Sequence, residues 1–271
     1  MWQKLLLPLA SIGLVLPLGW PIKPSFSSNS LGQQIPNTWE IAQAFKSPNR
    51  GAPPPAGGGG TRGTCEQDPE DAYYVPVSPI GQVGLTVSEY PTFFIYVPEA
   101  PARTIQLSIL ARKDENTEEP VTSVTFRTPR KAGIITISIP PNPKNGLKVG
   151  QQYRWEMEIV CNRIDRSGNA AMEGFIERVS QDQIGVNLAN AKDTDLPSIY
   201  ASQGIWYESL ASAIKLRASN PNNSKLMADW EKLITSVNLN PEAESAEDHP
   251  DNKFDVNRIV KADILNCCTP E

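Results

Sequence analysis

The alternation of hydrophobic and polar positions changes once along the chain, near residue 180. Before that point, short runs rich in Val, Ile, Thr, Phe and Tyr are separated by clusters of Pro, Gly and Asn, a pattern typical of strands and turns. The pattern predicts seven strands, at residues 84–87, 92–97, 104–112, 121–127, 134–139, 152–160 and 171–179. Seven strands in about a hundred residues fit an antiparallel, immunoglobulin-like β-sandwich over residues 65–180.

Alternate residues of the predicted strands form apolar faces that an opposing sheet must cover. Ile105, Leu107 and Ile109 lie on one side of their strand, because successive side chains point to opposite faces. The sequence Asp-Arg-Ser-Gly-Asn at 165–169 is typical of a compact hairpin loop, so it predicts that the two strands beside it are neighbours.

Residues 181–239 carry apolar positions at spacings of three and four, which predicts a helical tail. A break at Asn220-Pro221 divides the pattern into two amphipathic helices that form a helical hairpin. Its spacing resembles part of a tetratricopeptide repeat, with Gly204 in the small-residue turn and Pro221 as the closing proline. Such repeats need about three units to be stable alone, so the tail is expected to pack on the sandwich, on its own preceding helix or on another molecule.

The two ends of the chain differ in character from this central part. A basic residue, Lys4, precedes the apolar run 5–18, which is shorter than a membrane span and typical of a secretory signal, with an uncleaved anchor as the alternative. We interpret residues 1–44 as signal peptide and leader and 45–64 as a Pro/Gly-rich linker. Residues 240–271 form an acidic, largely disordered extension in this interpretation. The expected location is extracytoplasmic (periplasm, cell envelope or secreted), with no stable membrane span after signal removal.

Charge and cysteine content narrow the partners and the chemistry. The net charge of −5 comes without a cluster of basic residues, which argues against nucleic acid as a partner. Four cysteines in an oxidising compartment allow three pairings. We favour a disulfide between Cys65 and Cys161 over a reactive thiol or a metal ligand. Cys267 and Cys268 would then form a second disulfide, link to another chain, or lie in a loose tail.

The chain offers few candidates for catalysis. His249, the one histidine, lies in the acidic stretch, where nothing is expected to orient its ring, so Ser-His-Asp and Cys-His chemistry are not expected. Glu156 and Glu158 share a face of their strand, as acid–base work on a sugar requires, but a solvated strand face beside Arg154 is the favoured interpretation. The sequence therefore predicts no catalytic residues and no cofactor.

The sequence also contains candidates for metal binding and for aromatic contact sites. Asp165, Asp193 and Asp195 carry carboxylates suited to Ca²⁺, but neither segment has the full calcium-loop spacing, so no metal site is predicted. Core packing is favoured over sugar stacking for one group of aromatic residues, namely Tyr90, Phe93, Phe94, Tyr96 and Trp155. A second group is expected to form a groove that binds a partner, because an incomplete repeat leaves an apolar face uncovered, and it consists of Trp206, Tyr207 and Trp230.

Four segments together resemble one protein family. They are Gly-Leu-Thr-Val-Ser-Glu-Tyr-Pro-Thr-Phe-Phe-Ile-Tyr-Val-Pro at 84–98, Tyr-Arg-Trp at 153–155, Asp-Arg-Ser-Gly at 165–168 and Gly-Ile-Trp-Tyr-Glu at 204–208. In this order they are similar to the cyanobacterial domain of unknown function 928, over about 62–239. The resemblance implies a lineage and an envelope location, and it carries no catalytic residues to transfer.

These observations lead to one leading hypothesis for function and two alternatives. The leading hypothesis is an exported, non-catalytic envelope protein that serves binding or assembly, with an unknown protein or envelope component as partner. The first alternative is an enzyme that acts on cell-wall or extracellular polysaccharide through Glu156 or Glu158. The second alternative is a structural component of a matrix or surface layer.

Overall fold

The computed structural model describes residues 48, 65, 68–69, 72–114, 117–185, 188–239, 254–268 and 270. These residues form nine strands and four α-helices. The strands are β1 (Val75–Pro76), β2 (Val83–Thr86), β3 (Thr92–Val97), β4 (Thr104–Arg112), β5 (Glu118–Arg127), β6 (Gly133–Ser138), β7 (Gln152–Val160), β8 (Ala170–Arg178) and β9 (Ile264–Leu265). The helices are α1 (Leu196–Ser202), α2 (Trp206–Ser219), α3 (Ser224–Thr235) and α4 (Asn257–Lys261).

The strands form two sheets. One has the order β1-β3-β6-β9 and the other the order β2-β8-β7-β4-β5. The β2–β8 and β6–β9 pairs are parallel, and the remaining pairs are antiparallel. The seven strands predicted from the sequence correspond to β2–β8, with ends shifted by at most three residues. β1 and β9 were missed, because two residues are too few to show an alternating pattern.

Residues from both sheets pack into one hydrophobic core, as a β-sandwich requires. The alternation predicted for β4 is present, since Ile105, Leu107 and Ile109 are fully buried. Phe93 of β3 meets Trp155 of β7 edge to face across the core, with ring centroids 6.1 Å apart. The protein is therefore mainly β, with two sheets that share a core.

The helical part shares the hydrophobic core of the sheets. The secondary structure changes near residue 180, but the core continues across that point. Trp206, the first residue of α2, is fully buried, and its indole N–H donates to the carbonyl of Val77, which directly follows β1, at 2.9 Å. Gly204 adopts a φ of 72° just before α2, a conformation that favours glycine. The tail was expected to pack on the sandwich, on its own preceding helix or on another molecule. Among the described residues, packing on the sheets is present.

The C-terminal residues differ from the sequence-based expectation. Residues 240–253 lie outside the described residues, but 254–268 form α4 and β9 in place of the expected disorder. The reason is that Phe254 and Ile259 supply apolar side chains that the core buries. Phe254 covers the second face of β3, where its ring lies 5.8 Å from that of Tyr96.

The signal region and linker (1–64) fall almost entirely outside the described residues. Within the part of the chain that the structure describes, no helix combines the length and the hydrophobicity that a membrane span needs.

Candidate functional site

The three aromatic residues expected to bind a partner lie inside the protein. Trp206, Tyr207 and Trp230 are 0%, 3% and 1% exposed. Each polar group points inward, since Trp230 donates its indole N–H to the carbonyl of Val260 at 3.0 Å and the Tyr207 hydroxyl lies 3.4 Å from Ser78 Oγ. The sequence predicts that these three residues form a groove for a partner, but the structure places them in the core. The apolar face of the hairpin is covered by this chain's own sheets and C-terminal residues.

Tyr207 makes the tightest contact between α2 and the sheets. A Cβ atom on Gly84 of β2 would lie 2.7 Å from Tyr207 Cε2, so only glycine fits beneath the ring. Phe93 packs against the same ring edge to face, with centroids 5.3 Å apart. Burial raises the pKa of the Tyr207 hydroxyl well above its usual range, so the group stays neutral. This contact is structural, because the ring is almost completely covered by the protein itself.

Glu208, the next residue, joins the start of α2 to the end of β2. Its Oε1 accepts hydrogen bonds from Thr86 Oγ1 at 2.6 Å, Val87 N at 3.2 Å and Ser88 N at 3.0 Å. Its Oε2 is buried and has no hydrogen-bond partner among the described residues. Burial raises the pKa of the carboxyl group, while the hydrogen bonds from Thr86, Ser88 and Val87 oppose the shift.

Sequence reasoning missed the role of Glu208. A glutamate in the first turn of a helix is favourable near the N-terminus for electrostatic reasons alone, so its presence does not indicate burial. The available signal was its position in the Gly-Ile-Trp-Tyr-Glu segment.

The outer face of the five-stranded sheet carries a cluster of ion pairs centred on Arg154. Its guanidinium donates to both oxygens of Glu118, to Glu173 Oε2 at 2.8 Å and to Glu156 Oε2 at 3.4 Å. The hydrogen bonds with Glu118 raise the pKa of Arg154 above its usual value. Because Glu156 has the Arg154 cation beside it, this arrangement favours the interpretation of a solvated strand face over that of an acid–base pair.

Glu158, the second carboxylate of the suspected pair, is bound separately. It accepts a hydrogen bond from the Arg166 guanidinium and another from Asn169 Nδ2 at 2.7 Å. Glu156 and Glu158 do share a face of β7, as predicted, but each is held by its own donors. Glu158 links the sheet to the adjoining hairpin loop.

That loop, residues 161–169 between β7 and β8, presents the most exposed large apolar side chain of the described residues. Ile164 at its tip is 96% exposed. We call these residues the Ile164 loop. Arg163 and Arg166 flank the tip on either side of Ile164 and Asp165, and their side chains reach Thr104 and Gln106 on β4 at 3.4 and 3.3 Å.

The backbone of the Ile164 loop is held by short hydrogen bonds of its own side chains. Asn162 Oδ1 accepts from the N–H of Ile164 at 2.8 Å, and Asp165 Oδ1 accepts from Ser167 N and Oγ at 3.0 and 2.6 Å. Asn169 Oδ1 accepts from the N–H of Cys161 at 2.9 Å and closes the base. The hydrogen bonds from Ser167 lower the pKa of Asp165 below its usual value. The hairpin predicted at 165–169 is thus present, with a defined shape.

Cysteine positions add to this picture. The sulfurs of Cys65 and Cys161 are 1.94 Å apart, at disulfide-bonding distance, so the base of the Ile164 loop is tied to the residues that precede β1. The sulfurs of Cys267 and Cys268, just after β9, are 1.88 Å apart.

The other candidates are distributed as follows. Asp193 pairs with Lys215 at 3.5 Å, Asp195 precedes α1, and Asp165 is engaged within its loop. No group of three or more His, Cys, Asp and Glu side chains among the described residues is arranged to hold a metal ion. His249 lies outside the described residues. The aromatics of the first group, apart from the partly exposed Tyr90, are buried, which agrees with core packing for Phe93, Phe94, Tyr96 and Trp155.

The described residues thus form two sheets and a set of C-terminal helices that share a hydrophobic core, and a polar loop with one exposed isoleucine joins β7 to β8. A family model, Domain of Unknown Function (DUF928), matches residues 57–247, and the chain belongs to this family. The family resemblance stated from the four segments is confirmed. Comparison with curated proteins and with solved structures gave no match.

Proposed function

We propose that this protein is an exported, non-catalytic binding module, and that the Ile164 loop is its contact surface. One observation carries the proposal: an isoleucine that is 96% exposed stands at the tip of a loop whose backbone is fixed by its own side chains. A loop held in one conformation loses little conformational entropy when it binds, so an apolar tip of this kind is suited to a protein partner.

The charges beside Ile164 indicate what kind of partner surface the loop fits. Arg166 is paired with Glu158, whereas the ion pairs among the described residues leave Arg163 without a carboxylate. An apolar side chain beside an arginine matches an apolar pocket with an acidic rim. The partner we infer is therefore a protein of the same compartment that presents such a pocket.

The proposal also includes an immunoglobulin-like sandwich and a tetratricopeptide-like helical hairpin. The orders β1-β3-β6 and β8-β7-β4-β5 correspond to strands A-B-E and G-F-C-C′ of an immunoglobulin sandwich, which supports an immunoglobulin-like fold. Gly204 before α2 and Pro221 after it support a tetratricopeptide-like hairpin.

Location is proposed on two grounds. The apolar run 5–18 after Lys4 favours export, and cysteine pairs at disulfide distance are compatible with an oxidising, extracytoplasmic compartment. A cyanobacterial source, which the sequence resemblance implies, belongs to the same proposal.

The test is to replace Ile164 and a matched residue. The purified full chain is used to capture proteins from an envelope fraction, and any captured partner is then titrated against wild type, Ile164→Ser and Val149→Ser. Val149 is the matched control because it is the other large apolar side chain of the described residues that is mainly exposed, at 54%. Both variants are expected to keep the wild-type melting temperature, since neither side chain belongs to the core.

We expect Ile164→Ser to weaken binding at least tenfold, which corresponds to about 1.4 kcal/mol, and Val149→Ser to leave it unchanged. Equal affinity of wild type and Ile164→Ser would overturn the proposal, and so would an equal loss in both variants. A purified chain that self-associates by light scattering through this loop would assign the loop to assembly, in place of a distinct partner.

A further inference from the structure

The residues 254–268, which we call the C-terminal segment, are held by other parts of the chain in the way that a bound peptide is held. Three of its backbone carbonyls accept hydrogen bonds: Val260 from Trp230 Nε1 at 3.0 Å, Ala262 from Arg217 Nη2 at 2.6 Å, and Asp263 from Ile134 N at 2.8 Å. Contacts to main-chain atoms of a segment that also adds a strand to a sheet edge are typical of peptide recognition.

Side chains of the segment fill apolar sites on the rest of the protein. The ring of Phe254 lies 5.8 Å from the rings of both Tyr73 and Tyr96. Ile259 is fully buried and Val260 is 7% exposed. These anchors are spaced along the segment, so the surface they fill is an elongated groove.

The floor of the groove is the edge of the four-stranded sheet. β9 pairs with β6 in parallel, with Ile134 opposite Ile264 and Ile135 opposite Leu265. A Cβ atom on Gly133 would lie 2.8 Å from the carbonyl oxygen of Asp263, so glycine permits this close approach. We call this surface, formed by β6, α2, α3 and the rings of Tyr73 and Tyr96, the tail groove.

The tail groove and the C-terminal segment are separable in the sequence. The family match covers 57–247, which contains every groove residue named above and excludes the segment. The connection 240–253 links Leu239 to Phe254 and spans at most about 50 Å when fully extended. A connection of that reach allows the segment to enter the groove of its own chain or that of a neighbour.

We propose that the tail groove accepts the C-terminal segment of a second copy of this chain, so that the protein assembles by exchange of this segment. The contacts are the same whichever copy supplies the segment, because all of them join the segment to residues of the family domain. The balance is then set by concentration. A connection of this length corresponds to an effective concentration on the order of 1 mM, and exchange competes as the chain approaches that value.

An ion pair between segment and groove gives a test on the unmodified full chain. Lys131 Nζ lies 2.6 Å from Asp263 Oδ2, and both side chains are largely exposed, so a carbodiimide can join them as an amide. Equal amounts of ¹⁴N- and ¹⁵N-labelled chain are unfolded together without reductant, refolded at 0.1 and 1 mM, cross-linked and analysed by mass spectrometry. The exposed pair Lys113–Glu119, which joins neighbouring positions of the β4–β5 hairpin, is the internal control.

Exchange predicts Lys131–Asp263 links that carry both isotopes, about a twentieth of these links at 0.1 mM and about a quarter at 1 mM. Lys113–Glu119 links should carry one isotope only. Lys131–Asp263 links as unmixed as the control at both concentrations would overturn the proposal. Mixed links that do not increase with concentration would also overturn it, because exchange between copies is a mass-action process.

Discussion

Replacing Glu208 with glutamine removes the buried charge at the start of α2 and keeps an oxygen acceptor in the same place. The amide oxygen of the new side chain can still accept from Thr86 Oγ1, Val87 N and Ser88 N, the three donors that hold Oε1 in the wild type. The buried Oε2, which has no partner among the described residues, becomes a neutral amide nitrogen. The substitution therefore isolates the effect of the charge.

The sign of the pH dependence follows from the raised pKa of Glu208. The folded protein binds this proton more tightly than the unfolded chain does, so the contribution of Glu208 to stability is largest at a pH below the unfolded value of about 4.3. This contribution falls as the pH rises from that value through the folded pKa, by at most about 1.4 kcal/mol per pH unit, and levels off above it. Glu208→Gln lacks this contribution, so its stability relative to wild type should rise with pH over the same window.

The measurement is guanidinium-induced unfolding followed by tryptophan fluorescence, from about pH 3.5 to about pH 8, a range that brackets the unfolded pKa of a glutamate. Glu99→Gln, which removes an exposed carboxylate, gives the effect of losing one surface charge. Glu208→Ala removes the acceptor as well. Relative to Glu208→Gln it should cost about 2–4 kcal/mol at all pH values, because Val87 N and Thr86 Oγ1 lose their partner. A difference between wild type and Glu208→Gln that does not change with pH would refute the reasoning.

Two further predictions concern packing and covalent structure. Gly84→Ala should destabilise the protein by about 1–3 kcal/mol in the same unfolding assay, because the new methyl group meets the Tyr207 ring, whereas Gly168→Ala, with open space around it, should change little; equal effects would contradict the contact. Replacing both Cys65 and Cys161 by alanine should cost about 4–5 kcal/mol for a separation of 96 residues, as measured by denaturant midpoint without reductant, and an unchanged midpoint would show that no stabilising bond is present.

The strands could be predicted because their signal is local. Alternation at Ile105, Leu107 and Ile109 requires only that one face of β4 be buried, whatever covers it. The position of Trp230 could not be predicted in this way. Its helical spacing indicates an apolar face, but the groups that cover that face include Val260, which lies thirty residues further along the chain and beyond the acidic stretch. A local pattern predicts that a side chain is covered, but it does not indicate which residues cover it.

The candidate site shows the same limit. Asp165 and Gly168 were correctly expected to form a turn, because their local conformational preferences decide it. The exposure of Ile164 depends on what lies above the loop, so no local pattern could indicate it. In the sequence, a single apolar residue among polar ones does not show whether its side chain is covered or exposed.

The four segments that resemble the family divide into two kinds once their positions are known. Three of them meet in the core: Gly84 lies under Tyr207, and Phe93 packs on both Tyr207 and Trp155. Packing accounts for these residues, since each fills a space that another shape would not fit. The fourth segment, at 165–168, buries nothing and instead fixes the loop that exposes Ile164. Since stability does not require an exposed isoleucine, the binding proposal is placed at this loop and not in the aromatic core.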